Sequence, residues 1–190
     1  MLTEYIDSTE RAAEIIREGG LVAFPTETVF GIGVDATNSD AVVKLFEAKG
    51  RPSNNPLIVH LDDGGHWARA ASELPTVAEA LLDAFCPGPL TLVLPKLPTI
   101  SAQVTAGLAT VGVRIPDHSI AREILRIAAV PVAAPSANRS GRPSGTTWQA
   151  VAEDLDGRID AIFTADAATI GIESTVVDCS GLLPVVLRPG

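Results

Sequence analysis

Aromatic residues and cysteine are scarce in this 190-residue chain. Phe, Trp and Tyr make up 4% of the sequence, so the core has to be built mainly from Val, Ile, Leu and Ala. The apolar share of 46% is sufficient for a sizeable core and is not typical of a disordered chain. The two cysteines, Cys86 and Cys179, lie far apart in the sequence and form no CxxC pair. They predict reduced thiols and a cytoplasmic protein.

Basic charge is also in short supply. The formal net charge of −9 argues against a generally basic, nucleic-acid-binding surface. Any anion site therefore has to be local and built from a few of the 14 Lys and Arg residues. His60, His66 and His118 form no i,i+4 pair, and no His/Cys cluster has zinc spacing. The sequence has no Walker-type phosphate loop, and Gly31-Ile32-Gly33 lacks the third glycine of a dinucleotide fingerprint.

Signals for export and for membrane insertion are lacking as well. The first residues contain no basic stretch that leads into an apolar run, so we expect no signal peptide. The longest uncharged run, residues 97–113, contains Pro, Thr, Ser, Gln and Gly and predicts no membrane span. Length and composition predict one domain over residues 1–190.

Helix and strand patterns alternate along the rest of the chain. The expected caps are the segment Asp7-Ser8-Thr9 for the first helix and Ser39 for the second. The predicted helices cover residues 9–18, 39–49, 66–85, 119–129 and 146–155. The predicted strands cover residues 21–24, 56–61, 90–94, 111–115, 130–134, 159–163, 174–178 and 183–187. This alternation predicts an α/β fold with a mixed sheet, and the spacing of the last two strands predicts a hairpin.

Two basic loops are candidates for an anion site. Residues 49–56 (KGRPSNNP) carry Lys49, Arg51 and Asn55 as donors, and Pro52 and Pro56 stiffen the same loop. The same residues also fit a solvated helix C-terminus, where basic side chains are common. Residues 134–147 follow a strand and enter a helix, which is where open α/β sheets place ligands. A long surface loop of turn-forming residues explains that composition equally simply.

Several further residues and one segment allow two interpretations each. Arg114 and Arg188 end strand patterns, and such charges are usually solvated strand ends, although a polyanion pocket would use them. The segment 25–33 (PTETVFGIG) follows a buried strand and could be a polar turn or one wall of a site. In it, Glu27 could orient a basic residue or cap a turn. Cys86, which precedes Pro87 in an apolar run, fits a core thiol better than a nucleophile.

Seven segments, in this order, resemble the YrdC/TsaC-type threonylcarbamoyl-AMP synthase family. They are PTETVFGIGVDA, KLFEAKGRPSNNPLIVH, CPGPLTLVLP, VGVRIPDH, PVAAPSANRSGRPSG, GIESTVVD and the terminal LRPG, and they span residues 25–190. The resemblance implies a single YrdC-like domain, with a twisted mixed β-sheet flanked by helices and a concave ligand cavity. Two departures are modest: Phe30 stands where the family often has Tyr, and Cys86 stands where Trp is common.

The resemblance also implies a reaction. L-Threonine, bicarbonate or CO2, and ATP would give threonylcarbamoyl-AMP and pyrophosphate, the first step of tRNA threonylcarbamoyladenosine modification. Mg2+ would enter with ATP, without protein ligands and without an organic cofactor. A tRNA-modifying carbamoyltransferase complex would take the product, and a weak tRNA contact is compatible with this role. We expect no membrane partner.

The family's site positions can be transferred residue by residue. On the threonine side, the resemblance implies Thr28, His60, Arg114, the backbone at Ala134, and Ser174. On the ATP side, it implies Arg51, Asn55, Thr110, Ser136, Ser144 and Arg188. Lys49 and Arg51 would neutralise phosphate charge, and Asn138 lies in the same loop as Ser136 with no assigned role. Arg188 lies close to Gly190, so its role depends on an ordered chain end.

Two other functions have to be weighed against this one. An RNA-binding module of the same family would act without turnover, but the net charge of −9 argues against strong, sequence-independent RNA binding. A carbamoyl-adenylate chemistry with a different acceptor, as in hydrogenase-maturation proteins, is disfavoured because accessory zinc-finger motifs are missing.

Overall fold

The computed structural model describes residues 2–190, which form ten β-strands, five α-helices and one 3₁₀-helix. The strands are β1 (Glu4–Ile6), β2 (Val22–Phe24), β3 (Gly31–Asp35), β4 (Ile58–His60), β5 (Leu90–Pro95), β6 (Thr110–Arg114), β7 (Val132–Ala133), β8 (Ala161–Phe163), β9 (Thr175–Asp178) and β10 (Val185–Arg188). The helices are α1 (Thr9–Arg17), α2 (Ser39–Lys49), α3 (Thr76–Phe85), α4 (Ser119–Ala128) and α5 (Trp148–Leu155), with the 3₁₀-helix at Gly64–Arg69.

All ten strands form one sheet in the order β1-β8-β2-β3-β7-β4-β6-β5-β9-β10. The pairs β1/β8, β2/β8, β4/β6 and β5/β9 are parallel, and the remaining neighbours are antiparallel. The predicted mixed sheet is therefore confirmed. The predicted hairpin is confirmed as well, because β9 and β10 pair in antiparallel fashion at one edge.

Helices cover both faces of the sheet. Successive residues of β2 point to opposite faces, so Val22 packs in one hydrophobic cluster and Ala23 in the other. The first cluster contains the apolar sides of α1 and α4, and the second contains those of α2, α3 and α5. None of the helices between residues 2 and 190 combines the length and the hydropathy that a membrane span requires.

The helix starts agree with the sequence only in part. Within the predicted capping segment 7–9, Ser8 caps α1, because its hydroxyl accepts from the Arg11 amide. Ser39 was the expected cap of α2, but Asn38 takes this role and accepts from the Ala41 amide. The continuous helix predicted over 66–85 is wrong: a 3₁₀-helix ends at Arg69, and α3 begins only after Pro75. Proline disfavours helical backbone at the residue before it, so a helix cannot run through this point.

The sequence predicts no strand at β3, because two of its first three residues are glycines and glycine is depleted in strands. The structure shows why one of them is required. A Cβ at Gly33 would lie 2.5 Å from Phe24 Cε1 and 2.9 Å from Val132 Cγ1, both on neighbouring strands. Gly33 therefore allows close packing inside the sheet, which is a different role from the turn that the sequence suggested.

Candidate active site

A cavity of about 280 Å³ lies where several strands end. His60 and Arg114 are register partners at the ends of the parallel strands β4 and β6, so their side chains enter the same region. All five residues assigned to the threonine side by resemblance line this cavity: Thr28, His60, Arg114, Ala134 and Ser174. They come from five separate parts of the sequence, and the sheet brings them together.

The residues assigned to the ATP side are divided between two adjoining depressions. Arg51, Asn55, Ser136 and Arg188 line the first cavity. Thr110 lines a second depression of about 420 Å³, which shares Arg51, Asn55 and Arg188 with the first. Ser144 lines neither depression. The structure thus provides two connected compartments with arginines at their boundary.

The two threonines of the opening segment form a local hydroxyl network. Thr26 Oγ1 donates to the Val29 carbonyl at 2.6 Å and lies 2.9 Å from Thr28 Oγ1. Because the single Thr26 hydroxyl hydrogen is used at Val29, Thr28 is the donor in the contact between the two hydroxyls. The remaining lone pairs of Thr28 Oγ1 can accept from a ligand in the cavity. The segment is therefore a wall of the cavity, and the polar-turn interpretation is insufficient.

Glu27 pairs with Arg114 in the interior. Glu27 Oε1 lies 2.7 Å from Arg114 Nη2, and the two side chains are only 8% and 6% exposed. The contact has ion-pair distance but does not have hydrogen-bond alignment, so the two groups interact mainly through their charges. Arg114 Nε also donates weakly to the Gly88 carbonyl at 3.4 Å. Of the two interpretations of Glu27, the structure favours the one in which it orients a basic residue.

His60 contributes a neutral ring to the cavity. Burial, together with the nearby Arg114 charge, lowers the pKa of His60 to about 3. Its Nδ1 faces the Ile58 carbonyl at 3.4 Å, which favours the tautomer with the proton on Nδ1. Nε2 of the same ring is then an acceptor.

The last strand returns to the cavity and is held there by Ser174. Arg188 donates to the Ser174 carbonyl from Nε at 3.0 Å and from Nη2 at 2.7 Å, and Nη2 is also 3.2 Å from Ser174 Oγ. Ser174 Oγ is in turn 2.8 Å from Thr91 Oγ1. The chain end is also attached, because the Gly190 amide donates to Thr175 Oγ1 at 3.1 Å. Arg188 is thus an exposed residue that the contacts with Ser174 position at the cavity.

Arg51 is braced by its own loop. Its Nε donates to the Asn55 carbonyl at 3.2 Å and its Nη2 donates to the Pro56 carbonyl at 3.1 Å. Burial lowers the pKa of Arg51 from its usual value, and no carboxylate within residues 2–190 forms an ion pair with it. The guanidinium is therefore positioned at the boundary of both depressions with its charge uncompensated by a salt bridge.

Lys49 differs from its predicted position beside the phosphates. Its side chain is buried, with the residue only 2% exposed, and Nζ donates to the carbonyls of Ser136 and Asn138. It lines neither depression. Burial, reinforced by the Arg51 charge, lowers the pKa of Lys49 to about 8. The helix-end lysine therefore binds the back of the loop, and the sequence could not show this because both acceptors are backbone atoms.

The loop at residues 134–147 is also tied down by acidic residues that sequence reasoning missed. Asp154 in α5 pairs with Arg142 and accepts from the Arg139 amide. Glu173, which lines the cavity, accepts from Ser144 Oγ at 2.6 Å, and this hydrogen bond lowers the pKa of the Glu173 carboxyl. Asp154 is 12 residues from Arg142, and Glu173 is 29 residues from Ser144, so no local signal marks these carboxylates.

The contacts of Asn138 and the burial of Cys86 indicate structural roles for these two side chains. The amide nitrogen of Asn138 donates to the carbonyls of Arg139 and Arg142, which closes the loop on itself. Burial raises the pKa of the Cys86 thiol to about 11, so it is protonated at neutral pH, as expected of a core thiol. Within the described part of the chain, no group of three or more His, Cys, Asp or Glu residues is gathered in a way that could hold a metal ion.

Most of the chain is similar to known proteins. Residues 14–190 match the Sua5/YciO/YrdC family, whose description reads "Telomere recombination". A threonylcarbamoyl-AMP synthase of Bacillus subtilis (strain 168) is 52% identical over 181 residues, which cover 95% of this chain and 52% of that protein. A threonylcarbamoyl-AMP synthase of Pyrococcus abyssi is 51% identical over 179 residues, covering 94% of this chain and 53% of that protein. The chain thus spans about half the length of these curated relatives.

A solved structure with high sequence identity to this chain contains an amino acid. The crystal structure of P. abyssi Sua5 complexed with L-threonine is 47% identical to this chain and has a TM-score of 0.94. The similarity covers 100% of this chain and 57% of the P. abyssi chain. The backbone arrangement described above is therefore that of a known threonine-binding protein over its matching part.

Proposed function

Because the chain belongs to the Sua5/YciO/YrdC family, we propose that it makes threonylcarbamoyl-AMP from L-threonine, bicarbonate or CO2, and ATP, with release of pyrophosphate. The observation that carries the proposal is the convergence of Thr28, His60, Arg114 and Ser174 in one cavity beside an arginine-lined depression. We call the first cavity, of about 280 Å³, the inner cavity. The match to a protein solved with L-threonine supports the assignment of this inner cavity to the amino acid.

The inner cavity suits an amino acid with a hydroxyl side chain. Arg114 is the partner for the α-carboxylate, since a guanidinium matches that group in shape and charge. Thr28 Oγ1 has free lone pairs, and the neutral His60 ring offers Nε2 as a further acceptor. These acceptors suit the ammonium and hydroxyl hydrogens of threonine. The amino acid would thus be held by its carboxylate, its ammonium group and its hydroxyl group.

The second depression, of about 420 Å³, is called the outer depression here, and it suits a nucleoside triphosphate. Arg51 and Arg188 stand at the boundary of both depressions, where phosphates would meet the amino acid. Ser136 and Asn55 add neutral donors on the same side, and Thr110 lies deeper in the outer depression. Lys49 would act indirectly, by fixing the backbone that carries Ser136.

The proposed reaction has two balanced steps. The threonine ammonium and bicarbonate give a carbamate, one water and one proton. A carbamate oxygen then attacks the α-phosphorus of ATP, the bond to the β-phosphate oxygen breaks, and pyrophosphate leaves. No covalent intermediate with the protein is required. The protein would contribute by aligning two anions and by neutralising charge with Arg51 and Arg188.

Mg2+ is part of the proposal as a companion of ATP. It prefers oxygen ligands and commonly binds through substrate phosphates and water, with few protein carboxylates. Glu173 is a carboxylate at the cavity wall, and it is engaged with Ser144. We therefore assign the metal to the phosphates. It would supply charge neutralisation on the departing pyrophosphate.

The same proposal includes partners and compartment. The mixed anhydride product is reactive, so a carbamoyltransferase complex that acts on an adenosine in tRNA would consume it. A weak tRNA contact and a cytoplasmic location fit this role. An RNA-binding module without turnover is the competing function, and the net charge of −9 argues against it.

The deciding experiment follows pyrophosphate. The protein is mixed with ATP, Mg2+ and bicarbonate, and pyrophosphate release is measured with and without L-threonine. We expect release that depends on both threonine and bicarbonate, together with formation of threonylcarbamoyl-AMP. Release that is the same without threonine, or absent from folded protein, contradicts the proposal. Tight, salt-sensitive tRNA binding without turnover would favour the RNA-binding function.

A further inference from the structure

The Glu27 carboxylate lies behind the cavity and reaches it only through Arg114. Glu27 is 7% exposed and does not line the cavity, although its neighbours Thr26 and Thr28 do. Its main-chain carbonyl accepts from the Ile170 amide at 2.9 Å and from Thr169 Oγ1 at 3.3 Å, which fixes the backbone. The position of the Glu27 main chain is therefore fixed by contacts with residues 169–170.

The carboxylate has one neighbour that compensates its charge. No hydrogen-bond donor within residues 2–190 is aligned with either Glu27 oxygen, and Arg114 Nη2 at 2.7 Å supplies the opposite charge. The two nearby imidazoles do not add charge at neutral pH, because burial lowers the pKa of both His60 and His118. The Arg114 charge is thus already neutralised before a ligand enters.

We propose that Glu27 is a specificity-determining residue: by neutralising Arg114, it makes the cavity accept an amino acid zwitterion and disfavour a carboxylate that lacks an ammonium group. This inference rests on the proposed function, because it takes the inner cavity to be the amino-acid site. It assigns to Glu27 a role through Arg114, without direct contact with the ligand.

The physical reason is the net charge of the occupied site. A simple carboxylate would share one guanidinium with Glu27 and leave a buried excess of one negative charge, which a site of low polarity disfavours strongly. A zwitterion brings its own positive group, so the occupied site stays neutral overall. Removal of the Glu27 charge would leave Arg114 as a free buried cation, and any small carboxylate would then gain affinity.

The test compares two ligands of nearly equal shape. (R)-3-Hydroxybutyrate is L-threonine with the ammonium group replaced by hydrogen. Dissociation constants of both ligands are measured by calorimetry for the wild type, Glu27→Gln and Glu27→Asp. We expect the preference for threonine over 3-hydroxybutyrate to fall at least about tenfold in Glu27→Gln. Glu27→Asp keeps the charge and should keep most of the preference.

Two further measurements distinguish an effect of the Glu27 charge from a purely structural effect of the substitution. Glu123→Gln, which removes the partner of Arg126 on the surface of α4, is the matched control and should leave the preference unchanged. Thermal unfolding covers the case in which Glu27→Gln is unstable. In that case 3-hydroxybutyrate should raise the Tm of Glu27→Gln more than it raises the Tm of the wild type, because it supplies Arg114 with a counter-charge.

The outcomes separate this inference from the proposed function. If the wild type binds threonine but Glu27→Gln keeps the wild-type preference, or weakens both ligands in the same proportion, the charge role of Glu27 is wrong and the amino-acid site stands. If the wild type binds no threonine, the amino-acid site is wrong and the inference is overturned with it.

Discussion

Lys49 Nζ binds the backbone carbonyls of Ser136 and Asn138, and thereby joins the end of α2 to the loop that follows β7. The Ser140 amide returns a hydrogen bond to the Lys49 carbonyl at 2.9 Å. The two basic loops suggested by the sequence are therefore one structural unit. In this unit Lys49 is the internal support, and Arg51 is the group that reaches the cavity boundary.

Replacement of Lys49 by Met should weaken the fold and ATP use together. Loss of a buried charge-assisted hydrogen bond is expected to lower the free energy of unfolding by about 1.5–3 kcal/mol. The KM for ATP should rise because Ser136 is no longer fixed. Urea unfolding and pyrophosphate release measure the two effects, and Lys44→Met, an exposed lysine of the same helix, is the control. A variant with raised KM but unchanged stability would instead indicate direct phosphate binding.

The buried Lys49 also predicts a pH dependence. Its pKa is about 8 in the folded protein and near 10.5 when the side chain is free, so the unfolded chain holds more protons between these values. Stability of the wild type relative to Lys49→Met should therefore rise as the pH increases from about 8 towards 10.5. Urea unfolding of both proteins at several pH values provides the comparison. A difference that stays constant or falls over this range would contradict the shift.

Arg51→Ala should impair ATP use far more than folding. The side chain makes hydrogen bonds only to carbonyls of its own loop and has no ion-pair partner, so its removal leaves no buried charge behind. We expect the KM for ATP to rise about tenfold or more, with little change in Tm. Arg17→Ala removes another arginine that donates to a backbone carbonyl, that of Ile127, and should affect neither quantity. A loss of Tm in proportion to activity would make Arg51 structural.

Arg114→Ala should raise the KM for threonine more than the KM for ATP, and it should also destabilise the protein. The variant leaves Glu27 as a buried, unpaired carboxylate, which is expected to cost about 3–5 kcal/mol. The double variant Arg114→Ala/Glu27→Gln should recover much of that stability without recovering threonine use. Steady-state kinetics and urea unfolding test both parts. A larger effect on ATP than on threonine would reverse the two ends of the site.

Gly33→Ala should destabilise the sheet without touching the cavity. The added methyl group would overlap Phe24 and Val132, and such overpacking typically costs about 1–3 kcal/mol. Gly181→Ala is the control, because a Cβ at that position would meet only the Leu183 carbonyl at 3.9 Å. Urea unfolding should separate the two variants clearly. Equal stability would show that β2 and β7 can move apart at no cost.

The sequence predicted the sheet type from its alternating helix and strand patterns, and it indicated the cavity residues through the resemblance to the family. Of those residues, only Arg114 and Arg188 were also marked by the ends of strand patterns, and the parallel register of β4 and β6 places Arg114 beside His60. The sequence could not predict the direction of individual side chains. Lys49 and Arg51 lie close together in the sequence and both carry a positive charge. Lys49 is nevertheless buried against backbone carbonyls, whereas Arg51 reaches the cavity boundary.

The errors have local physical causes as well. Ser39 and Asn38 are both good helix caps, and one residue of shift decides which of them accepts from the Ala41 amide. Partners distant in sequence are invisible to pattern analysis, which is why Asp154 for Arg142 and Arg114 for Glu27 were missed. The packing role of Gly33 could not be predicted, because its close neighbours Phe24 and Val132 belong to other strands.

The hairpin that carries Arg188 has a consequence for local unfolding of the protein. Strand β10 is the edge strand of the sheet and pairs only with β9, and Arg188 in β10 holds Ser174 through three contacts. Opening of this edge would therefore remove one wall of the cavity while the middle of the sheet stays paired. Ligand affinity is thus linked to the stability of the last two strands.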